Sequence, residues 1–327
     1  MALYPHETEM AYLDDGNKWL CHGQAIKPED ATNLDVWGEK SNMTGFEFKT
    51  APVLFFDEDA DDVGAFPSKS VAYRSDTKAP IEVVGANYKI VQPKEVLNFF
   101  DSIINDMGYK MTSCGILNGG RRFWAQAMTG AESTIGKNDK VKESCLLATG
   151  FDGASVVKKD THRMICWNQL AQAIKSGDRV SVSHRSDFNS AQIKDTLSLD
   201  PLSFKEWTEI ADAMAGFKLG TKDDAHMFIG ETLELFDDSM PDDESRLLAF
   251  ENNKAAMAIS ELYHGKGAGS KMATAKGTIW GAVNAVTQYM DHERPTRTMD
   301  ARFNGAMFGA QANIKQRAWD LAMLKVR

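Results

Sequence analysis

The sequence predicts an α+β protein: a mixed β-hairpin and helix domain over residues 1–198, then a helical region over 199–327. Three observations carry that reading. β-Prone runs broken by Asn118-Gly119-Gly120 and Asp152-Gly153 are hairpin signals. An amphipathic helix after Pro93 precedes them. From about residue 200 the apolar spacing becomes helical, and Pro201 marks the boundary at 195–202.

In chain order, Pro52-Val53-Leu54-Phe55-Phe56 reads as a buried strand. The acidic run from Asp57 to Asp62 follows as a solvated loop, since it lacks the Gly turn and distal Glu of a calcium loop. Val83 to Val91 reads as strand, a Gly85 irregularity, then strand. Val96, Phe99, Phe100, Ile103 and Ile104 recur at helical spacing, and Gly108 ends that helix. Tyr109 to Cys114 and Arg121 to Met128 form the first hairpin. Cys145 to Thr149 and Ser155 to Lys159 form the second, and Thr161 to Cys166 extends its return strand. A helix is expected from Asn168, acting as N-cap, to Ile174. Ser203 with Glu206 predicts a capping box opening a helix through Met214. Asp223–Phe236, Asp242–Tyr263, Thr278–Met290 and Phe303–Val326 read as further helices, and Gly265 to Lys271 as a flexible loop.

The 327 residues are 43% apolar and 25% charged, ordinary values for a chain that buries its own core. Cys21, Cys114, Cys145 and Cys166 form no C-x-x-C pair, which argues against a zinc ribbon or a secreted disulfide scaffold. Met1 to Tyr12 has no basic leader region, and no stretch approaches the ~18 apolar residues of a membrane span. The expectation is a cytoplasmic protein with no membrane partner.

The net charge of −9 is unevenly spread. Residues 1–108 carry 19 acids against 9 cations, and 195–261 carry 16 against 5. Residues 109–194 carry 13 cations against 7 acids, and 262–327 carry 10 against 4. Basic segments that converge on one face bind an anion or a nucleic-acid backbone; scattered ones are ordinary solvated surface.

No motif of a nucleophile, zincin or dinucleotide site is present. The loop Gly265 to Lys271 lacks G-x-x-x-x-G-K-[ST] and reads as a solvated loop with two lysines, or as a phosphate contact. His162 and Cys166 have no third or fourth ligand, and the adjacent Cys21-His22 is equally weak, so no metal or cofactor is expected. Arg121-Arg122-Phe123-Trp124 joins cations to aromatics. Alternation puts Arg122 and Trp124 on one face, Arg121 and Phe123 on the other. Single-strand binders use such mixtures, with cations tracking phosphates and an aromatic stacking on a base. Lys158, Lys159 and Arg163 could line the same groove, and Lys315 and Arg317 sit beside Trp319 on the last helix. The bland alternative for each is a solvated cation or a core aromatic.

Several of these segments carry a resemblance. They include Trp19 with His22-Gly23, Val84-Gly85-Ala86-Asn87-Tyr88-Lys89 with Gln92, Gly119-Gly120-Arg121-Arg122 with Trp124, and Asp152-Gly153. Arg163 with Cys166 and Asn168, Gly277-Thr278-Ile279-Trp280, Asn284 to Tyr289, Asp291-His292 and Lys315-Gln316-Arg317-Ala318 complete the set. On them the chain resembles the phage/plasmid-like family of uncharacterised prophage and plasmid proteins, a domain of unknown function, from about Trp19 to the C-terminus. The resemblance brings no catalytic residues with it. Its element order looks like the β-rich core of phage single-strand annealing proteins, an analogy of fold alone.

The expected function is therefore single-stranded DNA binding and annealing in recombination or replication. It would proceed without cofactor, through Arg121, Arg122, Trp124, Lys158, Lys159, Arg163, Lys315 and Arg317. Expected partners are single-stranded DNA, further copies of the chain as a homo-oligomer, and phage or host recombination and replication proteins. The alternatives are an accessory protein acting on a host factor, or an enzyme of nucleic acids or nucleotides.

Overall fold

Asn118-Gly119-Gly120 turns the chain because these residues tolerate left-handed backbone, with φ of 54°, 68° and 116°. The turn joins β6 (Lys110–Leu117) to β7 (Arg122–Ile135) as an antiparallel pair, Leu117 opposite Arg122. A computed structural model describes residues 9–14, 23–59, 61–151, 156–164, 168–171 and 201–327. It is an α+β structure with helices concentrated toward the C-terminus.

The other strands are β1 (Met10–Leu13), β2 (Gln24–Ile26), β3 (Phe48–Asp57), β4 (Asp62–Arg74), β5 (Pro80–Gly85), β8 (Asp139–Gly150), β9 (Val156–Arg163) and β10 (Asn168–Ala171). Among the described residues they form a seven-stranded sheet, β10-β9-β8-β7-β6-β1-β2, and a three-stranded sheet, β3-β4-β5. Contacts divide the chain into two compact units. Among the described residues, the first holds those up to 129 and those of 145–157; the second holds 130–144, those of 158–171, and 201–327. The parts of β7, β8 and β9 in 130–144 and 158–163 thus group with the C-terminal helices although they precede residue 199.

In the first unit, α1 (Leu34–Lys40) starts on Asn33, whose Oδ1 accepts from the Asp35 and Val36 amides. Helix α2 (Pro93–Asp106) opens on a capping box between Gln92 and Glu95, with Pro93 in its first turn. It buries Val96, Phe100, Ile103 and Ile104, as its spacing predicts, but Leu97 joins them and Phe99 is only half-buried. Phe48 anchors the aromatic core, edge-on to Phe46, Phe123 and Phe151 at 5.3, 5.9 and 4.7 Å between centroids.

In the second unit, α3 (Pro201–Gly216), α4 (Lys222–Thr232), α5 (Asp243–Glu251), α6 (Lys254–Glu261), α7 (Ile279–Gln288) and α9 (Ala310–Val326) contribute to one core, and α8 (Met299–Phe308) packs against α9. Trp207 stacks on Trp319 at 4.7 Å and meets Trp280 edge-on at 5.9 Å. Ile135 and Val141 join that core from β7 and β8.

Six expectations change. Residues 52–56 are strand, but Leu54, Phe55 and Phe56 stay more than half exposed, because their hairpin runs beyond the span that β5 pairs. Residues after Gly85 turn, with the Tyr88 amide on the Gly85 carbonyl, and form no second strand. Asn168 caps no helix: residues 168–171 are β10, hydrogen-bonded along β9 with Asn168 opposite Arg163. The Asp152-Gly153 turn, Cys166 and residues 172–174 lie outside the described residues. The helix assigned to Ser203 opens earlier, on Pro201. The 242–263 segment breaks at Asn252-Asn253, where Asn253 caps α6 by accepting from the Ala255 and Ala256 amides. The 303–326 segment breaks at the extended Gly309.

Candidate functional site

The expected binding residues separate by burial and by unit. In the first unit, Arg121 is exposed and its Nε donates to the Ile81 carbonyl at 2.8 Å. Arg122 is half-buried on β7. Trp124 is 1% exposed and has no open face on which a base could stack. The alternation argument fails there because β7 is a central strand covered on both sides, burying every residue from Phe123 to Ala127.

In the second unit, Lys158 and Lys159 lie on β9. Arg163 ends that strand at 2% exposure, its Nε held by both oxygens of Asp139 at 2.7 and 2.9 Å. Lys315 is equally buried, with its Nζ 2.6 Å from Asp291. Arg317 is half-buried, donating to the Thr232 carbonyl and pairing with Glu234 at 2.7 Å. Arg163 and Lys315 are therefore internal ion pairs and not groove cations, since freeing either would strand a carboxylate inside the protein.

Asp139 is the hub of a buried polar cluster. Besides Arg163, it accepts from the Thr274 hydroxyl at 2.9 Å and from Trp280 Nε1 at 3.0 Å. Nearby on the same strands, the Ser144 hydroxyl sits 2.6 Å from His162 Nε2. That spacing suits a nucleophile and its base, but both residues are fully buried and no substrate reaches them. Burial, helped by the positive charge of Lys315, pushes the His162 imidazole down to about 3.

The unfolded chain protonates this histidine near pH 6.5 and the folded chain only near pH 3, so stability falls as pH drops through that window. The loss is at most about 1.4 kcal/mol per pH unit for one proton. In His162→Gln, urea unfolding at the two ends of the window is expected to show a pH slope shallower by one proton. An unchanged slope would contradict the buried neutral imidazole.

Above the Asp139 hub lies the glycine loop. The sequence reads Gly265 to Lys271 as flexible, yet the loop is held at several points. The Gly267 amide donates to the Leu262 carbonyl at 2.9 Å, and the Ala268 amide to Gln288 Oε1 at 2.9 Å. Ser270 Oγ donates to the Gly267 carbonyl at 2.7 Å, and Arg163 Nη2 makes a longer 3.4 Å contact to the Gly269 carbonyl. Glycine is required at two points: Gly265 has φ of 135°, and a Cβ on Gly267 would fall 2.7 Å from the Leu262 carbonyl oxygen.

The loop surrounds an open cleft of about 500 Å³ lined by Gly265, Gly267, Gly269, Ser270, Lys271 and Met272. Lys266 and Lys271 are exposed beside it. Lys266 pairs with Glu261 at 2.8 Å, but both side chains are largely solvated, so the pair exchanges easily for another anion. The Gly267 and Ala268 amides already donate within the protein, so an anion such as a phosphate at this open cleft would be met by the exposed Lys266 and Lys271. Among the described residues, no group of three or more His, Cys, Asp and Glu side chains could hold a metal ion. No described helix is long and apolar enough to cross a membrane.

A domain of unknown function, DUF932, matches residues 80–308. The chain belongs to the DUF932 family. No curated protein and no solved structure matches it. The DUF932 region contains Asp139, Arg163, the glycine loop and Asp291, but neither Lys315 nor the β3–β4 hairpin.

Proposed function

We propose that the protein binds single-stranded nucleic acid by its phosphates at the glycine loop, and serves phage recombination or replication as a strand-binding and annealing protein. One observation supports this most: Arg163 ties the end of β9, the strand bearing Lys158 and Lys159, to the Lys266–Lys271 loop at Gly269. That contact brings the end of β9 to the glycine loop within one unit, and the cleft among the loop's glycines would seat the phosphate. Arg121, exposed in the other unit, is a second contact to be tested by itself.

Fluorescence anisotropy with a labelled oligonucleotide across a salt series tests the proposal. Wild-type affinity should fall steeply with salt. Lys266→Glu with Lys271→Glu should weaken binding at least about tenfold at low salt and make the salt slope shallower by about 1.4, two phosphate contacts' worth. Strand annealing, followed by energy transfer between complementary labelled strands, should fall in parallel. A wild-type chain that binds no oligonucleotide at low salt sinks the proposal. The same cleft also suits a mononucleotide; competition by a free nucleotide at concentrations that leave longer strands unmatched would favour a nucleotide-processing enzyme instead.

A further inference from the structure

The β3–β4 hairpin exposes apolar side chains on both faces. Leu54, Phe55, Phe56 and Val63 are each more than half exposed, and Phe66 is 48% exposed. Strand β5 pairs only with Lys69–Tyr73, so residues 53–66 form a two-stranded arm. A two-stranded ribbon is marginal in water unless something covers it, and exposed apolar patches mark interaction surfaces.

The strand register sorts the side chains. Opposite residues share a face, and faces alternate along a strand. Counting from Phe48, which is buried, the outer face carries Lys49, Ala51, Val53, Phe55 and Asp57 on β3. Across from them on β4 stand Tyr73 and Val71 and, beyond a register shift between Pro52 and Val53, Phe66, Gly64 and Asp62. Val83 of β5, 51% exposed, extends the stripe beside Val71. The Phe55 ring lies over Gly64, where a Cβ would come 2.3 Å from its Cζ. The outer face is thus an apolar stripe with a lysine at its base and carboxylates at its tip. Asp57, Glu58, Asp59, Asp61 and Asp62 all crowd that tip.

From this we propose that the outer face of the β3–β4–β5 sheet pairs with the same face of a second copy of the chain. The two arms run antiparallel about a two-fold axis, with the acidic tip of each near Lys49 of the other. Charge selects this occupant: the tip repels phosphate backbones and anionic lipid, and a parallel pair would set tip against tip. An antiparallel pair matches opposite charges at both ends. Pro52 lacks an N–H on the β3 edge and disfavours strand addition there; the apolar stripe lies on the sheet's face, so the proposed contact is face to face. The stripe uncovers on the order of 300–400 Å² of apolar surface per copy. With the polar rim, two copies bury about 1,200 Å², enough for a weak specific dimer. This inference does not depend on nucleic-acid binding.

Sedimentation velocity of the full chain from about 1 to 100 µM spans the range expected for such a contact. The wild type should pass from monomer to dimer, and Phe55→Glu with Phe66→Glu should remain monomeric. Lys49→Glu should raise the dissociation constant at least about tenfold, and adding Asp57→Lys should restore dimerisation. That charge exchange tests the proposal even if the double phenylalanine variant fails to fold. A wild type monomeric throughout overturns it, whether residues of the same chain or another protein cover the arm. So does a charge exchange that restores nothing, or a dimer broken by Phe56→Glu on the inner face while Phe55→Glu with Phe66→Glu leaves it intact.

Discussion

Asp139→Ala is expected to destabilise the second unit by about 3–5 kcal/mol, the cost of leaving one member of a buried ion pair without its partner. The loss falls at the upper end because the Thr274 hydroxyl and Trp280 Nε1 lose their acceptor in the same step. Against a typical domain stability of about 5–15 kcal/mol, that is a large share of the total. Urea unfolding of the variant would measure it. Replacing both partners with apolar residues, Asp139→Leu with Arg163→Met, should cost less than the single change, since no buried charge is left alone. A single variant within about 1 kcal/mol of wild type would show that Asp139 is not the hub. The glycine loop should loosen in Asp139→Ala as well, because Arg163 touches Gly269 only while Asp139 holds its guanidinium. Hydrogen exchange of the Gly267–Met272 amides reads that effect separately from global unfolding.

Lys315→Ala separates two roles for one residue. As a phosphate contact, its loss would leave stability unchanged and make the salt dependence of single-strand binding shallower by about 0.7. As the buried partner of Asp291 at 2.6 Å, its loss should instead cost about 3–5 kcal/mol and leave the salt slope untouched. The structure predicts the second result. It also predicts that His162 becomes easier to protonate in the variant, because the positive charge of Lys315 is one cause of its lowered pKa. A histidine titration followed by NMR checks this. Unchanged stability with a shallower salt slope would return Lys315 to the surface role that its sequence position suggests.

Ion pairs explain why the candidate site was only partly legible in the sequence. A basic segment looks the same whether its cations face water or an internal carboxylate. Arg163 finds Asp139 24 residues away, and Lys315 finds Asp291 24 residues away. Arg74, 65 residues from Glu9, is buried between Glu9 and Asp76 with its guanidinium 3.8 Å from the Phe46 ring. Hydrogen bonding to Arg74, more than any other cause, holds the Asp76 carboxyl down at about 2. No local pattern announces such pairs. The glycine loop was visible as Gly265 to Lys271, but its hydrogen bonds to Leu262 and Gln288 and its contact with Arg163 were not. The exposed arm was hidden for the opposite reason: Val53 to Phe56 has the composition of a buried strand, and burial depends on what lies opposite.

What the sequence determined by itself is the set of features decided within a few residues of each position. The left-handed turn at Asn118-Gly119-Gly120, the start of α2 at Gln92-Pro93, the cap of α7 at Thr278 and the α+β order all belong there, because turn and cap chemistry is local. Tertiary structure alone decided which cations are internal, that Trp124 is core, that residues 168–171 pair as a strand, and that the β3–β4 arm lies open. Those outcomes depend on neighbours tens of residues away, and the low-dielectric interior turns a charge from a surface feature into one half of a buried pair.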